Sequence, residues 1–190
     1  MIDLEGMNPP QREAVLHTEG PLLILAGAGS GKTRVITHRI AYLMREKRVS
    51  PYRIFAVTFT NKAAEEMRKT LIGLTGPEGT SVFMKTFHSA SVYILRRFGE
   101  RIGIEKNFSI YDQGDQEQVI KGILEKMRID PKKVKPSSIA SKISEIKDKA
   151  DLVDGARLDL LLPDYYAFDF QELYREYHQR LRQNNALDFN

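Results

Sequence analysis

The chain has 190 residues, no cysteine and a formal net charge of +4. That length suffices for a sizeable buried core, the absence of thiols excludes a disulfide framework and a thiolate metal site, and the basic excess leans toward an anionic partner. No run reaches the ~18 apolar residues of a membrane span, and Met1-Ile2-Asp3-Leu4-Glu5 is unlike a signal peptide. No membrane partner and a cytoplasmic location are therefore the expectations.

In chain order, residues 7–17 read as a short helix with Asn8 as N-cap and Pro9 at its first position. Gln11, in the first turn, has two readings: a surface amide, or an amide that meets the donor and acceptor edges of an adenine. Leu22-Leu23-Ile24-Leu25-Ala26 reads as a buried strand that breaks into the turn Gly27-Ala28-Gly29-Ser30-Gly31, after which Lys32-Thr33 open a helix over 32–47. Strand, glycine turn and Lys-Thr-led helix in that order make Ala26–Thr33 a phosphate-binding loop rather than a flexible Gly/Ser turn. The glycines let backbone N–H groups point inward at the positive end of the helix, the Lys32 ammonium reaches the β and γ phosphates, and Thr33 is placed to ligate Mg²⁺. Ala26 occupies the position where the first glycine of the pattern is usually written. Within the helix, Val35, Ile36, Ile40, Leu43 and Met44 form an apolar stripe.

Ile54-Phe55-Ala56-Val57-Thr58-Phe59 reads as a second buried strand, followed by a helix running to about Leu74 and capped by Thr60 or Asn61. Phe59, at the carboxyl end of that strand, is either a core residue or an aromatic that stacks a single-stranded base beside Thr58, Thr60 and Asn61. Ser81–Lys85 reads as a third strand and runs into Thr86-Phe87-His88-Ser89, the same combination of strand end, aromatic and small polar groups. Two such ends point to one shared groove. His88 has no His or carboxylate partner at metal-ligand spacing, which excludes zinc.

From Ala90 to about Asn185 the alternation of strand and helix gives way to helices alone. Their marks are Val92, Tyr93, Leu95, Arg96 and Phe98; Val119, Ile120, Ile123, Leu124 and Met127, capped by Asp112 or Asp115; Ile139, Ile143 and Ile146, starting at Ser137 or Ser138; and Phe170, Leu173, Tyr174, Tyr177 and Leu181. Lys132-Lys133-Val134-Lys135-Pro136 is a basic loop, read as solvated surface ahead of DNA contact. Tyr165, Tyr166, Tyr174 and Tyr177 read as packing rather than stacking.

A phosphate loop that hydrolyses ATP needs an apolar strand ending in Asp or Asp-Glu to hold Mg²⁺ and activate water. Two near matches do not qualify: Phe108-Ser109-Ile110-Tyr111-Asp112 is broken by Ser109 and flows into a helix that Asp112 caps, and Leu160-Leu161-Leu162-Pro163-Asp164 is interrupted by proline. Without that strand, the sheet is expected to expose an edge beside 22–26, which invites self-association.

These motifs together resemble the start of a UvrD/Rep/PcrA-type superfamily 1 DNA helicase, over essentially the whole chain. Asn8–Val15 resembles the family's Q motif, Ala26–Thr33 its motif I, Thr58–Ala64 motif Ia, Thr86–Ser89 motif Ib, and Leu187-Asp188-Phe189 the return from the helical insertion. The resemblance implies an α/β fold: an incomplete P-loop NTPase (RecA-like) parallel-sheet core at 1–89, an all-helical 1B-type insertion at 90–185, and the start of the return to the motor core at 186–190. It implies that Gln11 reads adenine, that Ala26, Gly27, Ala28, Gly29, Ser30, Gly31, Lys32 and Thr33 hold ATP and Mg²⁺, and that Arg34 lies against the base. Lys32 and Thr33 would be the catalytic pair, and Phe59, Thr60, Asn61, Thr86, Phe87 and His88 would touch single-stranded DNA. The activity implied is an ATP-driven 3′ to 5′ helicase or translocase acting on single strands and single/double-strand junctions in repair or replication, with this chain an N-terminal fragment that lacks turnover by itself. Three rivals remain at this point. A GTPase wants Asn-Lys-x-Asp, and Asn61-Lys62-Ala63-Ala64 lacks the Asp; a small-molecule kinase would use the helical stretch as a lid; a binding module would hold nucleotide or single strand without hydrolysis.

Overall fold

A computed structural model describes residues 2–150, 166 and 168–189, and the chain divides into two compact units, Met1–Tyr93 and Ile94–Asn190. In the first unit α1 (Pro9–Leu16), α2 (Lys32–Arg45), β1 (Phe55–Thr58), α3 (Asn61–Thr75) and β2 (Phe83–Thr86) follow in order, and α4 (Phe87–Phe98) starts directly from β2. β1 and β2 pair in parallel from Phe55↔Phe83 to Thr58↔Thr86, and α3 is the crossover that parallel pairing demands. Ala56 and Met84 face inward against Ile40, Ala41 and Met44 of α2 and Met67 and Leu71 of α3. Full burial of each large side chain there contributes about 1.5–3 kcal/mol. On the outward face Phe55 stacks on Phe83 with ring centroids 4.9 Å apart, and Phe83 meets Tyr93 at the same distance.

The run Leu22–Ala26 is not the buried strand that its composition suggests. No described residue pairs with it, Leu23 and Leu25 are 80 % and 84 % exposed, and only Ile24 packs, against the small core of Met7, Ala14, Val15 and Val35. An all-apolar run forms a strand only with ladder partners and cover on both faces. β1 and β2 pair only with each other among the described residues, so 22–26 lacks both. The open edge expected beside 22–26 therefore has no strand to belong to. The stripe of α2 also departs from the reading: Ile36 is exposed, while Thr37 and His38 are buried with Val35, Ile40, Ala41 and Met44. Thr37 Oγ1 donates to the Thr33 carbonyl at 2.7 Å and His38 Nδ1 lies 2.8 Å from the Arg34 carbonyl, both inside the helix, which offsets the cost of burying those atoms.

The second unit is built on α5 (Gln113–Lys126), α6 (Pro136–Ala150) and α7 (Phe170–Gln183). Every expected stripe residue of α7 is buried, as are Ile120, Ile123 and Leu124 of α5 and Ile139, Ile143 and Ile146 of α6; Val119 and Met127 pack partly buried against that core. Asp112 caps α5 and closes a capping box with Asp115, while α6 begins one residue before Ser137, at Pro136. Tyr174 and Tyr177 are core residues and Tyr166 packs against the same core, its ring stacked on Phe170; Tyr165 and the run Leu160–Asp164 lie outside the described residues.

The stretch 90–185 is not helices alone. β3 (Ser109–Ile110) pairs in parallel with β4 (Ala186–Leu187), and Tyr111 N donates to the Leu187 carbonyl at 2.8 Å. A two-residue strand is too short for its alternation to register in the sequence. Just past β4, the Asp188 carboxylate accepts from Lys147 Nζ at 2.5 and 2.7 Å and from Tyr177 Oη at 3.0 Å, with only 3 % of its side chain exposed.

His178 lies beside this cluster, its ring against Tyr174 and its Nε2 buried without a hydrogen-bond partner. Burial first, and the Lys147 ammonium second, hold its imidazole at about 4 instead of 6.5, against the opposing pull of the Asp188 carboxylate. The folded ring is thus neutral between pH 6.5 and 4 while the unfolded ring is protonated, so stability falls as pH drops through that window and is unaffected by this group above it. Wild type should lose about 1–2 kcal/mol across the window relative to His178→Phe, a fraction of the full conversion because part of the ring reaches water. Denaturant midpoints at pH 7 and pH 4.5 measure it; parallel pH slopes for the two proteins would assign the dependence elsewhere.

Candidate functional site

The loop expected to bind phosphate lies between the end of the 22–26 run and α2. Gly29 and Gly31 have φ of +75° and +82°, a region that side chains with a Cβ rarely adopt. These two glycines turn the chain so that Gly31 becomes the N-cap of α2, with no side chain capping the helix's first N–H groups. Those donors and the helix dipole make the spot attractive to an anion. Ser30 Oγ donates back to the Gly27 carbonyl at 2.7 Å, and Lys32 Nζ donates to the carbonyls of Ala26 and Gly27 at 2.6 and 2.5 Å. Thr33 is exposed in the first turn of α2, and Ala28 is exposed in the loop. Arg34 reaches away, its guanidinium donating to the Gly6 and Glu5 carbonyls at 3.3 and 3.4 Å.

α1 closes the other side. Asn8 and Gln11 form a capping box: Asn8 Oδ1 accepts from Gln11 N at 2.9 Å, and Gln11 Oε1 accepts from Asn8 N at 3.1 Å. The remaining face of the Gln11 amide is turned to the loop, Nε2 donating to the Ser30 carbonyl at 2.9 Å. Asn8, Gln11, Ala26, Ser30, Lys32 and Val35 line part of a cavity of about 150 Å³. Asn8, expected as the N-cap, also fixes the Gln11 amide; Asn-x-x-Gln is the sequence signature of such a capping box. Among the described residues no group of three His, Cys, Asp or Glu side chains could hold a metal ion.

The strand ends come together as their repetition suggests. The parallel register sets Thr58 beside Thr86, and the residues that follow, Phe59 and Phe87, have ring centroids 5.2 Å apart at 46°. Phe59 is 86 % exposed and Phe87 47 %, so Phe59 is not a core residue of this unit. Asn61 and His88 are exposed on the first turns of α3 and α4. Thr60 and Thr86 have local duties: Thr60 Oγ1 caps α3 by accepting from Ala63 N at 3.1 Å, and the buried Thr86 hydroxyl accepts from Ser89 N and donates to Ser89 Oγ. Lys132, Lys133 and Lys135 are exposed, while Val134 packs against the core of the second unit.

Over 186 residues, 98 % of its length, the chain is 50 % identical to the ATP-dependent DNA helicase PcrA of Bacillus subtilis, and equally so to the PcrA proteins of Staphylococcus epidermidis and Staphylococcus aureus. It spans a quarter (25 %) of the length of these relatives. Residues 7–190 match the family model described as the UvrD/REP helicase N-terminal domain, and the chain belongs to that family.

Proposed function

We propose that these residues form the part of an ATP-dependent 3′ to 5′ DNA helicase or translocase, working in repair or replication, that grips ATP with Mg²⁺ and holds single-stranded DNA, including the strand that leaves a duplex junction. On this reading 1–89 belongs to a RecA-like P-loop motor subdomain and 90–185 to an insertion within it. The uncapped N–H groups of α2 and the Lys32 ammonium hold the phosphates, Thr33 offers its hydroxyl to the Mg²⁺ that accompanies them, and Gln11 meets the adenine. Arg34 would have to leave the Gly6 and Glu5 carbonyls to reach the base. Phe59, Phe87, Asn61 and His88 contact the strand, and Thr60 and Thr86 hold the two helix starts that carry them. On this reading no apolar run of the sequence supplies the acidic strand end that activates water, so the share of these residues is binding and orientation, without turnover by themselves.

The observation that carries the single-strand half is the exposed Phe59 ring, lying against Phe87 at the carboxyl ends of two paired parallel strands. An aromatic so placed has a free face for a base. Phe59→Ala should weaken binding of a fluorescent oligo-dT by about 1–3 kcal/mol with the circular dichroism spectrum unchanged. An unaltered affinity in a folded variant would leave only the nucleotide half of the proposal.

A further inference from the structure

We infer that Gln11 is a positioning residue for the phosphate loop as well as a reader of the base. The inference rests on the reading of Ala26–Thr33 as a polyphosphate site. Its amide is fixed at both ends: Oε1 accepts from Asn8 N and Nε2 donates to the Ser30 carbonyl. The amide also lies so close over Gly31 that a Cβ there would come within 3.1 Å of Nε2. One planar group thus ties the start of α1 to the turn that presents the first N–H groups of α2.

The tie has a polarity. Rotating the amide by half a turn would set its oxygen against the Ser30 carbonyl and its NH₂ against the Asn8 N–H, two like-with-like contacts. The amide is therefore held in one sense, with one Nε2 hydrogen and one Oε1 lone pair left over. A remaining donor beside a remaining acceptor matches N7 and the N6 amine of adenine. It does not match the two acceptors, N7 and O6, that guanine offers along the same edge. The shape of the phosphate loop and the choice of purine are set by the same side chain.

The test separates the two jobs with a ligand that has no base. Gln11→Met keeps the length of the side chain but donates nothing, and Glu13→Gly weakens α1 from an exposed position outside the cavity lining. Magnesium tripolyphosphate and Mg·ATP are titrated into the wild-type chain and both variants, and amide exchange at Ser30, Gly31 and Lys32 is followed by NMR without ligand. Gln11→Met is expected to weaken tripolyphosphate about five- to tenfold and to speed exchange at those three amides, while Glu13→Gly changes tripolyphosphate affinity less than about twofold. If Gln11→Met weakens ATP but leaves tripolyphosphate and the three amides unchanged, Gln11 only reads the base and the inference is overturned. Equal losses in Glu13→Gly would overturn it too, by tracing the effect to α1 itself. If the wild-type chain binds neither ligand, the polyphosphate reading fails, and exchange alone decides: faster amides in Gln11→Met uphold the tie, unchanged amides refute it.

Discussion

Asp188→Ala is expected to destabilise the second unit by about 3–5 kcal/mol. The carboxylate is 3 % exposed and its partner Lys147 15 % exposed, so removing it strands an ammonium group among Tyr177, His178 and the core of α6 and α7. Breaking one side of a buried pair costs more than the pair contributes, because the survivor keeps its desolvation penalty without its partner. The hydroxyl of Tyr177, a fully buried residue, loses its acceptor at the same time. Desolvation and that carboxylate already push the Tyr177 phenol well above its ordinary value. Denaturant melts followed by tyrosine fluorescence measure the loss. The double variant Lys147→Met with Asp188→Leu should recover most of it, since apolar replacement of a buried pair is often neutral. A loss below about 1 kcal/mol for the single variant, the range of exposed pairs, would mean that water reaches the pair.

Lys32→Ala should lower the affinity for Mg·ATP by about 2–3 kcal/mol, roughly 30- to 150-fold. Charge-assisted hydrogen bonds to phosphate are among the strongest available to a side chain. The loss stays below their full worth because the ammonium gives up the Ala26 and Gly27 carbonyls to make them. The variant should fold normally, since Lys32 Nζ touches only the loop in the structure. Calorimetric titration checks it, and an affinity within threefold of wild type would remove Lys32 from the phosphate site.

Periodicity carried most of the second unit, because α5, α6 and α7 bury one stripe each and their helical spacing repeats for three or more turns. The caps Asn8, Thr60 and Asp112 were legible for a local reason: each side chain serves an N–H three residues on. What failed in the sequence was whatever depends on a neighbour. Leu22–Ala26 has the composition of a strand and no ladder, and β3 has a ladder but too few residues to alternate. Thr37 and His38 look polar until their bonds to their own helix are counted. At the site, the paired strand ends could be read because Thr-Phe occurs twice, whereas the Gln11 contact with Ser30 spans 19 residues and leaves no trace in local spacing.

β2 ends at Thr86 and α4 begins at Phe87, with no connecting residue between them. The position of the Phe87 ring is therefore indexed by the hydrogen-bond ladder, as is that of Phe59 one residue past the end of β1. Residues along a strand advance by about 3.3 Å and alternate sides. A one-residue slip would part the two rings and turn one of them to the opposite face, even with every helix intact. The aromatic pair is in this sense a ruler, and its spacing is written in strand register rather than in the side chains around it.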